Sequence, residues 1–195
     1  MARRRPFVNR QIKLKDVSTA FLQSGSYGKG IYKYVSFKNP VTLKRQYYRQ
    51  TGPIYGEASA PVRWESTIAP WLEEQGFEPG LNERSIFYHP ERDLVLLLYV
   101  DDCLADGEEE DIDWLFNLLA NRFDCKDTEE LIIDSPLDYL GIEVSMDQEH
   151  LYLSMANYIE KAIKSMKLEV PTREISTPIH QPIDTESEPL DAKQK

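Results

Sequence analysis

The chain has 195 residues, 41% hydrophobic and 29% charged, which describes an ordinary globular protein able to bury a core without disulfide staples. No run of about 18 apolar residues occurs, so no membrane-spanning helix is expected. The formal net charge of −10 argues by itself against nucleic acid, but the charge is unevenly spread. Residues 1–64 hold thirteen Lys/Arg against Asp16 and Glu57, a net of +11, whereas residues 65–195 hold ten against 31 acids, a net of −21. A basic first third is the mark of a polyanion-facing region or of a solvated arm. No apolar segment follows the N-terminal Met-Ala-Arg-Arg-Arg-Pro, so no secretory signal is read. Cys103 and Cys125 are lone thiols without metal-type spacing. They suit a reducing, intracellular setting, cytoplasm or nucleus.

Residues 1–10 read as a basic arm. Ile12, Leu14 and Asp16 then alternate with Lys13 and Lys15, which predicts a half-buried strand with Asp16 on its apolar face. A carboxylate there is costly unless it is paired or holds a cation. Val17 to Leu22 suits a helix start or tight turn. Residues 24–56 interleave tyrosines with lysines and arginines and carry Pro40 and Pro53. Short strands and loops are expected. The composition suits stacking on bases with phosphate neutralisation, and equally an amphipathic ribbon without a ligand.

A helix is predicted from Ala60 to Gln75, with Trp64, Ile68 and Trp71/Leu72 inward, a kink at Pro70 and a stop at Gly76. Leu94 to Val100 is apolar on both faces and reads as a central buried strand. Asp101-Asp102 and a second apolar pair, Cys103-Leu104, follow, which predicts a hairpin with both carboxylates at its tip. Acidic residues 108–111 suit the N-terminus of a helix to about 123, with Ile112, Leu115, Phe116, Leu119 and Phe123 inward. Tyr139 to Met146 and His150 to Leu153 predict a second hairpin. Ser154 is placed to cap a helix from Met155 to Leu168, with Ile159, Ile163 and Met166 inward. Residues 170–195 read as a linker.

Asp16 and Asp101-Asp102 gain meaning together. If two short strands pack side by side, three carboxylates meet and repel unless divalent cations lie between them. Mg²⁺ suits such a site, because it takes one or two carboxylates plus waters and phosphates. Two such ions support nucleotidyl transfer. Taken singly, the Asp-Asp pair suits an ordinary turn, and Asp16 suits pairing with a basic neighbour.

The strings are specific. Lys15-Asp16-Val17-Ser18-Thr19-Ala20-Phe21-Leu22-Gln23 resembles the first catalytic motif of the reverse transcriptase region of copia-type LTR retrotransposons. Tyr55-Gly56, Ala60-Pro61 and Trp64 resemble its second block, and Tyr99-Val100-Asp101-Asp102 matches its Tyr-Val-Asp-Asp signature. Phe123-x-x-Lys126-Asp127 and Tyr139-Leu140-Gly141-Ile142-Glu143-Val144 resemble the segment leading to the primer-holding hairpin, and Ser176-Thr177-Pro178 the stretch beyond it. The resemblance runs in order over residues 11–180.

This resemblance implies an RNA-directed DNA polymerase of α+β class. A palm-like antiparallel sheet would carry the first strand and the Asp-Asp hairpin, with helices on one face and the metal site on the other. It implies a palm-like core at 11–146, a primer-grip hairpin end and thumb helix at 147–169, and the tail at 170–195. Asp16 and Asp101 would hold two Mg²⁺ ions, with Mn²⁺ an alternative. Asp102 would support one ion, and the Val17 carbonyl would complete a shell. Phe21 would exclude a ribose 2′-hydroxyl, Ala60 and Pro61 would pack against the templating pair, and Leu140-Gly141 would form the primer grip. The implied partners are an RNA or DNA template with primer, deoxynucleoside triphosphates and the other parts of a polyprotein, with no membrane.

The departures have consequences of their own. Fifteen residues precede Asp16, where the family has a fingers region, so a palm-and-thumb portion is expected. Glu57-Ala58-Ser59 stands where Leu-Lys-Gln is usual and would set an anion near the duplex. Val62 stands where Arg is common, and 33–52 lacks the usual Gln-Pro-x-Gly-Phe string. Two rival readings therefore stand beside the polymerase: an inactive retroelement remnant that binds template–primer, and an unrelated acidic metal-binding domain.

Overall fold

The structure is a computed structural model that describes residues 10–133 and 135–167. The chain divides into two compact units, residues 1–154 and 155–195. The fold is α+β and its strand pairs are antiparallel, the class expected from the sequence. Of the predicted arm at 1–10, residues 1–9 lie outside the described residues, but Arg10 is the first residue of a strand and bonds to Asp93 and Asp106. The predicted tail at 170–195 and the predicted helix end at Leu168 also lie outside them. No helix among the described residues is long and apolar enough to cross a membrane.

The first unit is built on β1 (Arg10–Asp16), β4 (Glu78–Pro79), β5 (Ile86–His89), β6 (Leu94–Tyr99), β7 (Asp102–Glu108) and β8 (Glu129–Glu130); β2 (Lys33–Lys38) and β3 (Arg45–Gln50) fall between the first two in chain order. The six form one sheet in the order β4-β5-β6-β7-β1-β8. Strands β2 and β3 form a separate two-stranded ribbon. A three-stranded sheet joins β9 (Leu137–Tyr139), β10 (Ile142–Met146) and β11 (Leu151–Ser154).

Two helices, α1 (Ala60–Glu74) and α2 (Glu109–Arg122), supply the apolar stripes read from the sequence. Trp64, Ile68 and Leu72 of α1 and Ile112, Leu115, Phe116 and Leu119 of α2 are buried in one cluster with Leu94, Leu96, Cys103 and Ala105 of the sheet. The small residues of β7 on this face, Cys103, Ala105 and Gly107, leave room for the larger side chains of β6 beside them. A Cβ on Gly107 would meet Leu94 Cδ1 at 2.6 Å. Helix α1 continues through Pro70 and ends as expected at Gly76. There Phe77 N–H donates to Leu72 O and Gly76 N–H to Glu73 O. This pair of hydrogen bonds needs a left-handed residue, and Gly76 has φ +95°. A second cluster of Leu14, Leu131, Leu137 and Val144 packs the three-stranded sheet against the main one.

Three expectations change. Alternation puts Lys13 and Lys15 on the polar face of a half-buried strand, yet both are buried. Strand β1 is interior, between β7 and β8, and α2 covers the lysine face. Lys13 Nζ reaches Asp113 at 2.8 Å, and Lys15 Nζ donates to Lys126 O and Thr128 Oγ1 while lying over the Phe116 ring. Long stems let a lysine cross apolar surface while its ammonium finds oxygen. Tyr139 to Met146 is not one strand, because a two-residue turn at Leu140-Gly141 separates β9 from β10. Both turn residues have positive φ, 56° and 81°, the geometry whose twist matches an antiparallel hairpin. Strand β6 is buried at Leu94, Val95 and Leu96 but emerges towards its end, where Tyr99 is exposed.

In the second unit α3 spans Ala156–Ser165. Met155, not Ser154, is its N-cap, and no side-chain cap bond is made. Ile159 and Met166, expected inward, are exposed.

Candidate active site

The sheet register does what the sequence could only anticipate. Asp16, the last residue of β1, pairs directly with Asp102, the first residue of β7. Directly opposed residues share a face, so the two carboxylates stand side by side. They lie beyond Leu14 and Leu104, on the face away from α2. Asp102 also opposes Tyr99 across the β6–β7 hairpin. The hairpin tip is therefore Val100-Asp101 alone, and Asp102 is already in the strand. That corrects the expected placement of both carboxylates at the tip.

The turn is held in a costly conformation. Val100 has φ 55°, a left-handed geometry that a β-branched residue rarely adopts. Two contacts hold the turn in place. Trp64 Nε1 of α1 donates to Val100 O, and Val17 N–H donates to Asp101 O at 2.8 Å. The Tyr-Val-Asp-Asp string is thus fastened to the buried helix on one side and to the first motif on the other. Strain held by surrounding structure is common where side chains must be aimed.

Electrostatics mark the same place. Burial, then the neighbouring charges of Asp101 and Asp16, raise the Asp102 carboxyl above its ordinary range. Tyr55 is raised by burial and then by Asp101 and Asp16. Tyr139, beside the Leu140-Gly141 turn, is pushed up to about 12 by burial and then by Asp102. The predicted carboxylates, the Tyr55-Gly56 block and the predicted primer-grip strand therefore act on one another. Phe21 lies in a short 3-10 turn, Ala20–Gln23, directly after the first motif. Its ring packs on Tyr55 with centroids 4.9 Å apart. Val17 and Ala60 are fully buried, so neither side chain offers surface, whereas Pro61 at the start of α1 is exposed.

Lys126 is a site residue that sequence reasoning missed. Its Nζ donates to Asp16 Oδ2 at 2.9 Å and its N–H donates to Asp16 O. The bond to Asp16 raises the lysine further above its ordinary range. This is the basic neighbour that the rival reading of Asp16 required. The available signal was the Phe123-x-x-Lys126-Asp127 string, which fixes no distance to Asp16. Tyr55 and Tyr139 also belong to the resembling strings, and only the tertiary fold gives them a place beside the carboxylates. Glu57 proves to be no free anion. It accepts hydrogen bonds from Tyr27, Lys33 and Gln50, which hold its carboxyl down at about 2.

The donor chemistry fits Mg²⁺, a hard cation satisfied by one or two carboxylates with other oxygens supplied by water and phosphate. No three His, Cys, Asp or Glu side chains among the described residues form a ready-made metal cage. A cation at Asp16 Oδ2 would compete with the Lys126 ammonium for that oxygen.

Comparison with known proteins identifies the family. The family described as "Reverse transcriptase (RNA-dependent DNA polymerase)" matches residues 7–181. A retrovirus-related Pol polyprotein from transposon TNT 1-94 of Nicotiana tabacum is 25% identical over 176 residues, covering 87% of this chain and 13% of that protein. A putative transposon Ty5-1 protein of Saccharomyces cerevisiae is 27% identical over 161 residues, covering 78% of this chain and 49% of that protein. The chain thus spans between about an eighth and a half of these curated relatives. With the family matched over residues 7–181, the chain belongs to the reverse transcriptase family, as a domain of the copia type.

Proposed function

We propose that this chain is the palm-and-thumb portion of an RNA-directed DNA polymerase from a retrotransposon polyprotein. The reaction extends a primer. Its 3′-oxygen attacks the α-phosphorus of a deoxynucleoside triphosphate, the new P–O bond forms, the bond to the β-phosphate bridge breaks, and pyrophosphate leaves. The observation that carries the reading is the direct Asp16–Asp102 pairing, with Asp101 fixed in the adjoining turn by Val17 and Trp64. Two Mg²⁺ ions, or Mn²⁺, held by Asp16 and Asp101 with Asp102 and the Val17 carbonyl in support, would neutralise phosphate charge and ease deprotonation of the 3′-hydroxyl.

The chain's own residues position the reactants. The six-stranded sheet serves as palm and α3 as a thumb element. The Phe21 ring, buttressed by Tyr55, sterically excludes a 2′-hydroxyl. The Leu140-Gly141 turn receives the primer, where glycine allows close backbone approach. Pro61 faces the templating pair, with Ala60 buried beneath it. Other parts of the polyprotein complete the enzyme around this core. Holding reactants in line supplies much of the catalysis in such a mechanism.

The test is primer extension on an RNA template with Mg²⁺. Extension that disappears in Asp101→Asn supports the reading, and extension unchanged in that variant sinks it. One observation favours a second reading. Lys126 occupies an oxygen of Asp16 at 2.9 Å, an arrangement suited to a remnant that binds template–primer without turnover. Salt-dependent duplex binding with no extension in any divalent metal would select it.

A further inference from the structure

The ribbon of β2 and β3 lies outside the site just described and has an unusual surface. Residues 27–50 contain six lysines and arginines, six aromatic residues and no acid. In an antiparallel pair, opposed residues share a face and successive residues alternate. The register puts Tyr34 opposite Arg49, Ser36 opposite Tyr47 and Lys38 opposite Arg45. One face therefore carries two tyrosines, three cations and a serine. Tyr34 is 66% exposed and Tyr47 72%.

The other face explains how the ribbon is held. Lys33 and Gln50, at its open end, both reach the Glu57 carboxylate just before α1. Tyr27 joins the same cluster, and its ring is covered by Lys33 at 4.7 Å and Arg63 at 4.5 Å. The ribbon is thus tied down at one end by polar bonds, and its tyrosine–cation face is left to water.

We propose that this face binds single-stranded nucleic acid, separately from the carboxylate site and without a divalent metal. The charge is complementary to phosphate and contains no acid to repel it. The rings decide between single and double strands. Bases in a duplex hide their faces on one another, whereas unstacked bases offer them to aromatic side chains. Same-face positions along a strand lie about 7 Å apart, so Tyr34 and Tyr47 on neighbouring strands form two platforms flanked by cations. A second copy docking through the same face would set three cations against three. This inference stands independently of polymerase activity.

The test uses the full chain, EDTA and a fluorescently labelled oligo-dT of about 12 nucleotides, within the ~4–16 nucleotides typical of stacking platforms. Fluorescence anisotropy should give an affinity that falls at least about tenfold in Tyr34→Ala/Tyr47→Ala. Tyr34→Phe/Tyr47→Phe keeps the rings and should retain binding. An abasic strand of equal length should bind the native chain at least about tenfold more weakly than oligo-dT. Arg45→Gln/Arg49→Gln should flatten the slope of log affinity against log salt by about 1.4, or ~0.7 for each phosphate no longer neutralised. Equal affinity for the abasic strand and oligo-dT overturns the proposal, as does abolished binding in the phenylalanine pair. So does an alanine pair that keeps its affinity, or that alters only self-association in sedimentation. EDTA keeps primer extension out of this assay, so the two proposals fail separately.

Discussion

The β6–β7 hairpin and the β2–β3 ribbon are both antiparallel hairpins, the first largely aliphatic with carboxylates where its strands meet, the second rich in aromatic and cationic residues, and they are stabilised differently. The first is interior to a six-stranded sheet, roofed by α1 and α2, and its strained turn is fixed by Trp64 and Val17. The second has no apolar cluster of its own among the described residues and is tied at one end through Glu57. A rigid core suits groups that must be aimed at reacting atoms, because small misplacements there slow the reaction steeply. A solvated ribbon suits adaptable stacking and charge contacts, where several weak interactions add up. Part of the +11 charge of the first third thereby has a place on the ribbon's outer face.

Removing a carboxylate from the rigid hairpin should cost most. Asp101→Asn is expected to lower primer-extension rate by at least about a hundredfold, more than the roughly 10–100-fold typical of an outer-shell partner of a metal ligand. Single-turnover extension measures it. A loss confined to template affinity would instead put Asp101 on the binding side of the comparison.

Stability should separate the two hairpins next. Trp64 is 3% exposed and its indole holds the strained turn. Trp64→Ala should destabilise the fold by about 3–5 kcal/mol, read by urea unfolding. Tyr34→Ala or Tyr47→Ala should change stability by no more than about 0.5 kcal/mol, as expected for exposed positions. Equal losses would show that the ribbon rings are structural.

Lys126→Met tests whether the ammonium competes with a cation at Asp16. Mn²⁺ binding, followed by titration calorimetry, should tighten by up to about fivefold, as expected when a solvent-exposed ion pair is removed. Weaker binding would mean that Lys126 orients Asp16 for the metal.

The smallest effect concerns the ribbon's anchor. Tyr27, Lys33 and Gln50 hold Glu57 at about 2, below its ordinary 4.5. A depressed carboxyl stabilises the fold above pH 4.5, and that contribution is lost as pH falls towards 2. Glu57→Gln should therefore be less stable than the native chain at about pH 6, with the gap closing by about pH 2.5. Urea unfolding at the two pH values reads it. A gap that persists at low pH would assign the effect to packing.

Local pattern made much of the molecule legible. The stripes of α1 and α2, the stop at Gly76, the apolar strand before Asp101 and the pairing strand before Asp16 all follow from spacing and chain chemistry. The candidate site was legible in part, because Asp16 and Asp101-Asp102 sit at the ends of recognisable apolar strands. Lys126 was not, since 110 residues separate it from Asp16 and no local pattern encodes that contact. Lys13 and Lys15 misled for a similar reason. Alternation reports two faces of a strand but cannot tell that α2 will cover the polar one. The ribbon defeated pattern altogether, because with no buried face its composition fits a ligand platform and an amphipathic strand equally.

The sequence by itself determined the family and the α+β class and singled out three candidate carboxylates, since these rest on short strings and on the periodic burial of apolar side chains. The tertiary structure alone decided that Asp16 opposes Asp102, that only Asp101 sits in the turn, that Lys126 holds Asp16, and that Glu57 is tied to the foot of the ribbon. Each of those depends on strand register or on contacts between distant segments. Both are fixed by how whole elements pack together, not by the residues at either end of the contact.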